Sequence, residues 1–302
     1  MLISNLNEKY NPLYFLAALG AGGLAVSFFM YPNFLIEHKG TPMLTFDQIK
    51  PLLMGDDKVT AILLSGALIA IALLAILHFR LLFWNISEYR KFKKTDAFQG
   101  LMHSNREISL MVIPLTLAMS VNVAFILGAV FVPGLWSVVE YLFPMAIVSF
   151  LAIGVYALKI LGDYFTRIFI KGDFKFNENN NFTQMIAIFA LTMIAVGLAA
   201  PGAMSHHKEI NALGMFSSIF FLSIAVILMV IKMTIAFKST LEHGVDKGTS
   251  ASLWMMIPIL TLMGITVIRL TMGLHHVSKR RYLSLHSLSL HRLLFHYKYL
   301  LV

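Results

Sequence analysis

The sequence lacks cysteine altogether and is poor in charged residues. None of its 302 residues is cysteine, which excludes disulfides, thiolate metal sites and cysteine-held iron–sulfur clusters. Only 13% of the residues are Asp, Glu, Lys or Arg, about half the share typical of soluble domains. No nucleophile–base pair, phosphate-binding loop or ATPase motif is present. We therefore expect no enzymatic activity, and we expect any transport to be passive or driven by an ion gradient.

Long apolar runs dominate the sequence instead. Hydrophobic residues make up 58% of the chain, and seven runs of ~20 residues are each long enough to cross ~30 Å of hydrocarbon. The sequence therefore predicts an all-α integral membrane protein, with residues 1–277 forming a transmembrane helical bundle. The predicted spans are residues 13–32, 59–83, 108–132, 135–160, 183–203, 210–237 and 251–273.

The distribution of basic residues predicts the orientation of the bundle. Lysines and arginines concentrate in the loops that follow the second, fourth and sixth spans, for example Arg90, Lys91 and Lys171. Such loops are typically cytoplasmic, so we expect a cytoplasmic N-terminus in a multi-pass protein of a bacterial inner (plasma) membrane. The net charge of +9 does not form a patch on a soluble domain, and we expect no nucleic-acid partner.

The last 25 residues differ abruptly in composition from the bundle. Residues 278–302 contain no Gly, Ala, Pro, Asp or Glu but carry five of the basic residues. This break favours the product of a frameshifted reading frame. The alternative is a basic amphipathic tail that lies on the membrane surface.

Three of the apolar runs share a short signature, which indicates a repeated helical hairpin. The copies are IPLTLAMSV from Ile113, FALTMIAVG from Phe189 and IPILTLMGI from Ile257, at a period of about 70 residues. Two of them contain prolines, Pro114 and Pro258, and the first span has GAGG at the corresponding place. These breakers predict that the odd-numbered helices are kinked and line a central pore while the even-numbered helices surround it. The alternative is that small residues and proline are simply common in membrane helices.

Arg269 is the one charge that the sequence places well inside an apolar run. Ionisable residues within membrane spans are functional candidates, and a cation at a pore mouth attracts anions. The alternative is that Arg269 snorkels to the lipid headgroups. The predicted pore-lining residues are Gly20, Gly23, Pro114, Thr116, Ser120, Thr192, Gly197, Pro258, Thr261 and Arg269.

The histidines do not predict a metal or haem site. The pairs His206–His207 and His275–His276 fall at the same end of odd-numbered spans, but adjacent histidines on one helix face different sides. His78 is the one histidine expected within the membrane, near the cytoplasmic end of the second span, and a haem anchor needs a pair. We therefore expect no metal and no cofactor.

The layout resembles the tellurite-resistance/dicarboxylate transporter family, which includes the plant slow anion channels. The segment FRLLFWNISEY from Phe79, followed by GLMHSNREISLMVIPLTLAMSVNVAFILGA from Gly100, is similar to the family's passage from its second to its third span. LWSVVEYLFPMAIVSFLAIGVYALKIL from Leu135 is similar to the fourth, NNNFTQMIAIFALTMIAVG from Asn179 to the fifth and SLWMMIPILTLMGI from Ser252 to the seventh. The resemblance covers roughly residues 13–273 and rests on layout and proline placement.

The resemblance implies ten helices in five hairpins, with a pore lined by the kinked odd-numbered helices. Here the chain departs from the family, because the tail stands where the eighth to tenth spans belong and the family's gating phenylalanine lies in the ninth. The expected function is membrane transport of small anions, as a channel or exporter for dicarboxylates or sulfur oxyanions. The expected partners are the lipid bilayer and a small anion, with a homo-oligomer left open. The alternative is a quinone-interacting membrane anchor subunit of a redox complex.

Overall fold

The fold is all-α, and it belongs to an integral membrane protein. The computed structural model describes residues 2–172, 174, 183–244, 252 and 254–275. Within these residues there is no β-strand, and seven helices are long and apolar enough to cross a bilayer. The predicted tail, residues 278–302, lies outside the described residues.

Nine α-helices make up the described part of the chain. They are α1 (Phe15–Leu35), α2 (Phe46–Met54), α3 (Lys58–Phe92), α4 (Asp96–Met102), α5 (Val112–Phe131), α6 (Val139–Lys171), α7 (Ile186–Met204), α8 (Lys208–His243) and α9 (Met256–His275). The short helices α2 and α4 lie in loops, and the other seven correspond in order to the seven predicted spans. Consecutive spans run in opposite directions. The end of the bundle at which α1 begins is called the N-terminal face below, and the other end the opposite face.

The odd-numbered spans are α1, α5, α7 and α9, and the even-numbered spans are α3, α6 and α8. The odd-numbered spans begin in a similar way, with a 3₁₀ turn that continues into the α-helix. These turns are Pro12–Tyr14, Asn105–Met111, Thr183–Met185 and the residues just before Met256. Pro114 and Pro258 are each the third residue of their helices, α5 and α9. The first N–H groups of a helix have no partner within the helix, so proline is tolerated there without breaking a helical hydrogen bond. Both prolines therefore mark the start of a helix rather than a kink in its interior.

The helices form two layers of different burial. Most of α7 and α5 is buried, whereas most of α3, α6 and α8 is exposed on the outside of the bundle. The packing order is α1 against α5 and α5 against α7, with α3 covering α1, and with α6 and α8 covering α7. Arg269 and Gly273 of α9 contact α7 as well. The odd-numbered spans are thus neighbours of one another, and α9 is the most exposed of them.

Glycines allow α7, α8 and α9 to approach closely near the opposite face. A Cβ atom at Gly214 of α8 would lie 2.9 Å from the backbone nitrogen of Gly202 in α7. A Cβ at Gly273 of α9 would lie 2.8 Å from the carbonyl oxygen of Gly202. These glycines carry a hydrogen where other residues carry a Cβ, so the three backbones are in direct contact, as small residues permit in membrane proteins.

The loop before α3 is fixed at its junction with the helix. The carboxylate of Asp57 accepts hydrogen bonds from the N–H groups of Val59 and Thr60 and from the Thr60 hydroxyl, at 2.6 Å for the last. The Thr60 hydroxyl above all, together with these N–H groups, holds the pKa of the Asp57 carboxyl below its usual value. Asp57 therefore caps the N-terminus of the 35-residue helix α3.

Candidate functional site

The signature threonines form the same hydrogen bond in all three copies. The hydroxyls of Thr116, Thr192 and Thr261 each donate to the carbonyl oxygen four residues earlier, at 2.8, 2.9 and 2.8 Å respectively. This bond keeps a polar side chain satisfied within an apolar helix. Their surroundings differ, because Thr116 and Thr192 are buried in the protein and Thr261 is exposed on α9.

The predicted pore-lining glycines and prolines occupy different environments. Gly20 of α1 is exposed, with open space where a Cβ would be, and Gly23 is half-buried. Gly197 of α7 is buried, and a Cβ there would overlap the ring of Phe150 from α6. Pro114 is buried at the start of α5, and Pro258 is half-buried at the start of α9. Gly197 therefore serves close packing of α7 against α6.

Arg269 reaches from α9 onto the backbone of α7. Its Nη1 donates a hydrogen bond to the carbonyl oxygen of Val196 at 2.8 Å, and the residue as a whole is half-buried. The neighbouring carbonyl, Ala195, accepts from the Ser218 hydroxyl of α8 at 2.8 Å. Pro201 lies four residues after Gly197 inside α7 and has no N–H to donate to the Gly197 carbonyl. Among the described residues, Arg269 has no carboxylate partner.

A second polar group lies inside the bundle, between α1, α3 and α5. The imidazole of His78 is completely buried; its Nδ1 donates to the carbonyl oxygen of Ala18 at 2.7 Å. Its Nε2 lies 2.8 Å from the Ser120 hydroxyl, and that hydroxyl lies 2.9 Å from the carbonyl oxygen of Thr116. The ring fits against α1 because residue 22 is glycine: a Cβ there would lie 2.7 Å from Nδ1. Two predicted pore-lining residues, Thr116 and Ser120, thus belong to the His78 network.

Charged side chains are also buried near the N-terminal face. Glu107 and Arg167 form an ion pair with 2.6 Å between Oε2 and Nε, and Arg167 also donates to the carbonyl oxygen of Ser104. Lys232 of α8 donates to the side-chain oxygen of Gln184 at 2.6 Å, and its ammonium group lies 5.2 Å from the ring centre of Tyr164. The expectation that Arg269 is the only charge well inside an apolar run was wrong, because Lys232 lies within the sixth predicted span. Aromatic rings and an amide accommodate this cation.

The first of the outer histidine pairs, His206 and His207, lies in the loop between α7 and α8. His206 contacts Glu140 of α6, with 2.8 Å between Nδ1 and Oε1, and the second Glu140 oxygen accepts from the Ser205 hydroxyl. This contact ties the loop between α7 and α8 to the start of α6. No group of three metal-ligating side chains is found in the part of the chain that the structure describes. His276 lies outside that part.

The predicted site residues therefore lie in several separate places in the bundle. Thr116 and Ser120 lie with His78 between α1, α3 and α5, whereas Arg269 lies beside Gly197 between α7 and α9. Thr261 and Gly20 are exposed on the outer helices of the row formed by the odd-numbered spans. Comparison with protein-family models, with curated proteins and with solved structures finds no match to this chain.

Proposed function

We propose that this protein carries small anions across a membrane, along a path beside the odd-numbered spans, and that Arg269 attracts the anions. The observation that carries this proposal is the guanidinium of Arg269, which is held inside the bundle by a backbone carbonyl with no carboxylate partner among the described residues. An arginine at the centre of a membrane helix costs roughly 2.5–3.5 kcal/mol on insertion scales. That cost is easier to tolerate where the charge meets water and anions.

The arrangement of helices supports the same proposal. The repeated signature falls on α5, α7 and α9, and these helices follow one another in the packing order, with the even-numbered spans outside. This row of helices is the route that we propose for the anion. We further propose that the chain is related to the tellurite-resistance/dicarboxylate transporters, that it is not an enzyme, and that it resides in a bacterial inner membrane with its N-terminus in the cytoplasm.

The experiment is anion flux into proteoliposomes that contain the purified chain. Chloride, sulfite and malate serve as probes at low and high ionic strength. Replacing Arg269 with Gln is expected to lower flux at low salt by roughly tenfold and to flatten its salt dependence, because the charge no longer concentrates anions. Arg269→Lys keeps the charge and serves as the matched control, with flux closer to that of the parent protein.

Two outcomes would contradict the proposal in different ways. Absence of flux for all three anions in the parent protein would mean that the chain alone is not an anion transporter. Equal flux in the parent and in the Gln variant would mean that Arg269 only fastens α9 to α7. The path would then have to depend on other groups, such as the hydroxyls of Thr116 and Thr261.

The alternative of a quinone-binding anchor gains no support from the geometry. His78 is the one completely buried histidine among the described residues, and both of its ring nitrogens are hydrogen-bonded to protein. Neither nitrogen is free to bind a haem iron or a quinone oxygen in this arrangement.

A further inference from the structure

The hydrogen-bond network around His78 connects three helices of the bundle. Three helices meet at one imidazole: Ala18 belongs to α1, His78 to α3 and Ser120 to α5. Burying a histidine within a membrane bundle costs free energy unless its polar atoms are all hydrogen-bonded. The hydrogen bonds of this site are complete in both protonation states of the ring.

The neutral imidazole is fully satisfied. A carbonyl oxygen can only accept, so the bond to Ala18 requires that Nδ1 carry a hydrogen. Nε2 is then an acceptor, and it receives the hydrogen of the Ser120 hydroxyl at 2.8 Å. The carbonyl of Thr116, which also lies within reach of that hydroxyl, keeps its helical hydrogen bond from the N–H of Ser120.

The protonated imidazolium is satisfied just as completely, without movement of any heavy atom. Nε2 then carries a hydrogen and donates it to the Ser120 oxygen. The Ser120 hydroxyl turns and donates its own hydrogen to the Thr116 carbonyl, which lies 2.9 Å away. The uptake of one proton therefore changes only the orientation of one hydroxyl and adds one positive charge to the bundle.

We propose that His78, Ser120 and Thr116 form a proton-binding site within the membrane, and that proton uptake at His78 is coupled to the presence of an anion in the path. The coupling to an anion rests on the proposed function, whereas proton binding at His78 does not. An anion near the bundle interior stabilises the imidazolium, and by linkage the imidazolium strengthens anion binding to the same degree. Flux of the anion would then be accompanied by protons.

The surroundings leave the imidazolium without a competing partner. Helix α5 contains no titratable side chain, and in α1 the only one is Tyr31, which is exposed and more than three turns beyond Ala18. On α3 itself Arg80 is exposed, two residues after His78. The one carboxylate of α3, Glu88, lies nearly three helical turns beyond His78 and is paired with Lys91 at 2.6 Å, so it does not neutralise the proton. A mobile anion is therefore the natural counter-charge. Ser120, which is half-buried, connects the ring to the more accessible side of the network.

The first experiment measures proton binding directly and does not require transport. Protein labelled with ¹⁵N-histidine is placed in lipid nanodiscs, and its imidazole signals are followed from about pH 8 to about pH 5, the range in which histidines ordinarily titrate. The His78 signal is assigned by its absence in His78→Gln, or by its displacement in Ser120→Ala if the former does not fold. We expect the tautomer with a hydrogen on Nδ1 at the alkaline end and the doubly protonated ring at the acidic end.

The hydroxyl variant separates a proton-binding site from a structural contact. Ser120→Ala removes the acceptor of the second N–H and should shift the His78 titration to lower pH by about one unit or more, a tenfold loss of proton affinity. Ser27→Ala on the exposed face of α1 removes a hydroxyl that bonds only to its own helix, at Gly23, and should leave the titration unchanged. A His78 ring that stays neutral across the range in the parent protein would overturn the proposal.

The second experiment tests the coupling to anions. Adding malate or chloride to the nanodiscs should move the His78 titration to higher pH, and an acidic external buffer should stimulate anion uptake by the parent protein but not by His78→Gln. A titration that no anion shifts would overturn the coupling. If the parent shows no anion flux at all, the proposed function fails, whereas the ¹⁵N titration still decides the proton site.

Discussion

Buried charges are stabilised in two different ways in this bundle. Arg167 is neutralised by Glu107 at 2.6 Å, and Lys232 and Arg269 have no acidic partner among the described residues. Lys232 instead lies against the Tyr164 ring and bonds to the Gln184 amide, and Arg269 bonds to a helix carbonyl. An ion pair carries no net charge, so it is suited to holding helices together. An unpaired cation retains its field, so it is suited to attracting anions.

The Glu107–Arg167 pair is expected to stabilise the N-terminal face. Both side chains are at least nine-tenths buried, and removing the glutamate takes away the carboxylate that lies 2.6 Å from the Arg167 guanidinium. Glu107→Gln should therefore lower the free energy of unfolding by about 3–5 kcal/mol, measured by denaturant titration in detergent micelles. The exposed pair of Glu37 and Lys39 provides the control, because Glu37→Gln should change stability by less than about 1 kcal/mol.

The double variant Glu107→Gln/Arg167→Gln sharpens this test. If charge burial is the cause, losing both charges should be less destabilising than losing the glutamate alone, because the buried guanidinium is then removed together with the carboxylate that faces it. Equal losses in the single and the double variant would instead indicate that the Glu107 side chain acts through packing.

At the scale of helices, the contact of α7 with α8 depends on the absence of side chains. Gly214→Ala would force a methyl group against the backbone of Gly202, which cannot rotate out of the way as a side chain does. We expect a loss of at least about 1–3 kcal/mol in the same unfolding measurement, the usual cost of overpacking. The matched control is Gly162→Ala in α6, where nothing lies within 4 Å of the new methyl group. That substitution should be neutral or stabilising by up to about 1 kcal/mol, because alanine favours the helix. Similar effects of the two substitutions would contradict the close approach.

The sequence predicts the helices better than it predicts their faces. Seven apolar runs were enough to locate seven spans, because hydrocarbon thickness fixes their minimum length. The second, fourth and sixth spans, which are α3, α6 and α8, are longer than predicted; α3, for example, continues to Phe92 rather than ending near residue 83. Polar residues at these ends are buried against the N-terminal segment. The carboxylate of Glu88, for example, accepts a hydrogen bond from the backbone N–H of Leu6. Such long-range contacts leave no local signal in the sequence.

The candidate site was only partly accessible from the sequence, for a related reason. Membrane helices are apolar nearly all round, so periodicity does not reveal which side faces a neighbour. The repeated signature identified Thr116 and Thr192 but not that His78 bonds to the hydroxyl of Ser120, since these two residues are 42 positions apart. The sequence gives no sign that Lys232 is buried in the bundle, because one lysine does not interrupt an apolar run of the length of α8.

At the scale of the whole molecule, the burial of the odd-numbered spans is uneven. Helix α7 is enclosed by α5, α6, α8 and α9, whereas α1 and α9, at the two ends of the row, keep exposed faces. Small or hydroxyl-bearing residues such as Gly20 and Thr261 are exposed on these two helices, together with large apolar side chains such as Leu24 and Val267. The outer helices α3 and α6 expose large apolar side chains, such as Leu73 and Val155. If an aqueous path runs beside the odd-numbered spans, Gly20 and Thr261 are exposed positions that border it.

Thiol labelling distinguishes water-facing from lipid-facing positions, and the chain is suited to it because it has no native cysteine. A single cysteine is introduced at Gly20 or Thr261, or, as lipid-facing controls, at Leu73 or Val155, which are 63% and 66% exposed. A thiol reacts as the thiolate, which forms in water and not in hydrocarbon. If the odd-numbered spans border an aqueous path, Gly20→Cys and Thr261→Cys should react with a charged, membrane-impermeant reagent in proteoliposomes. The two controls should stay unreacted until detergent is added. Protection of all four positions would mean that lipid or another helix covers both ends of the row, and the path would then have to lie elsewhere in the bundle.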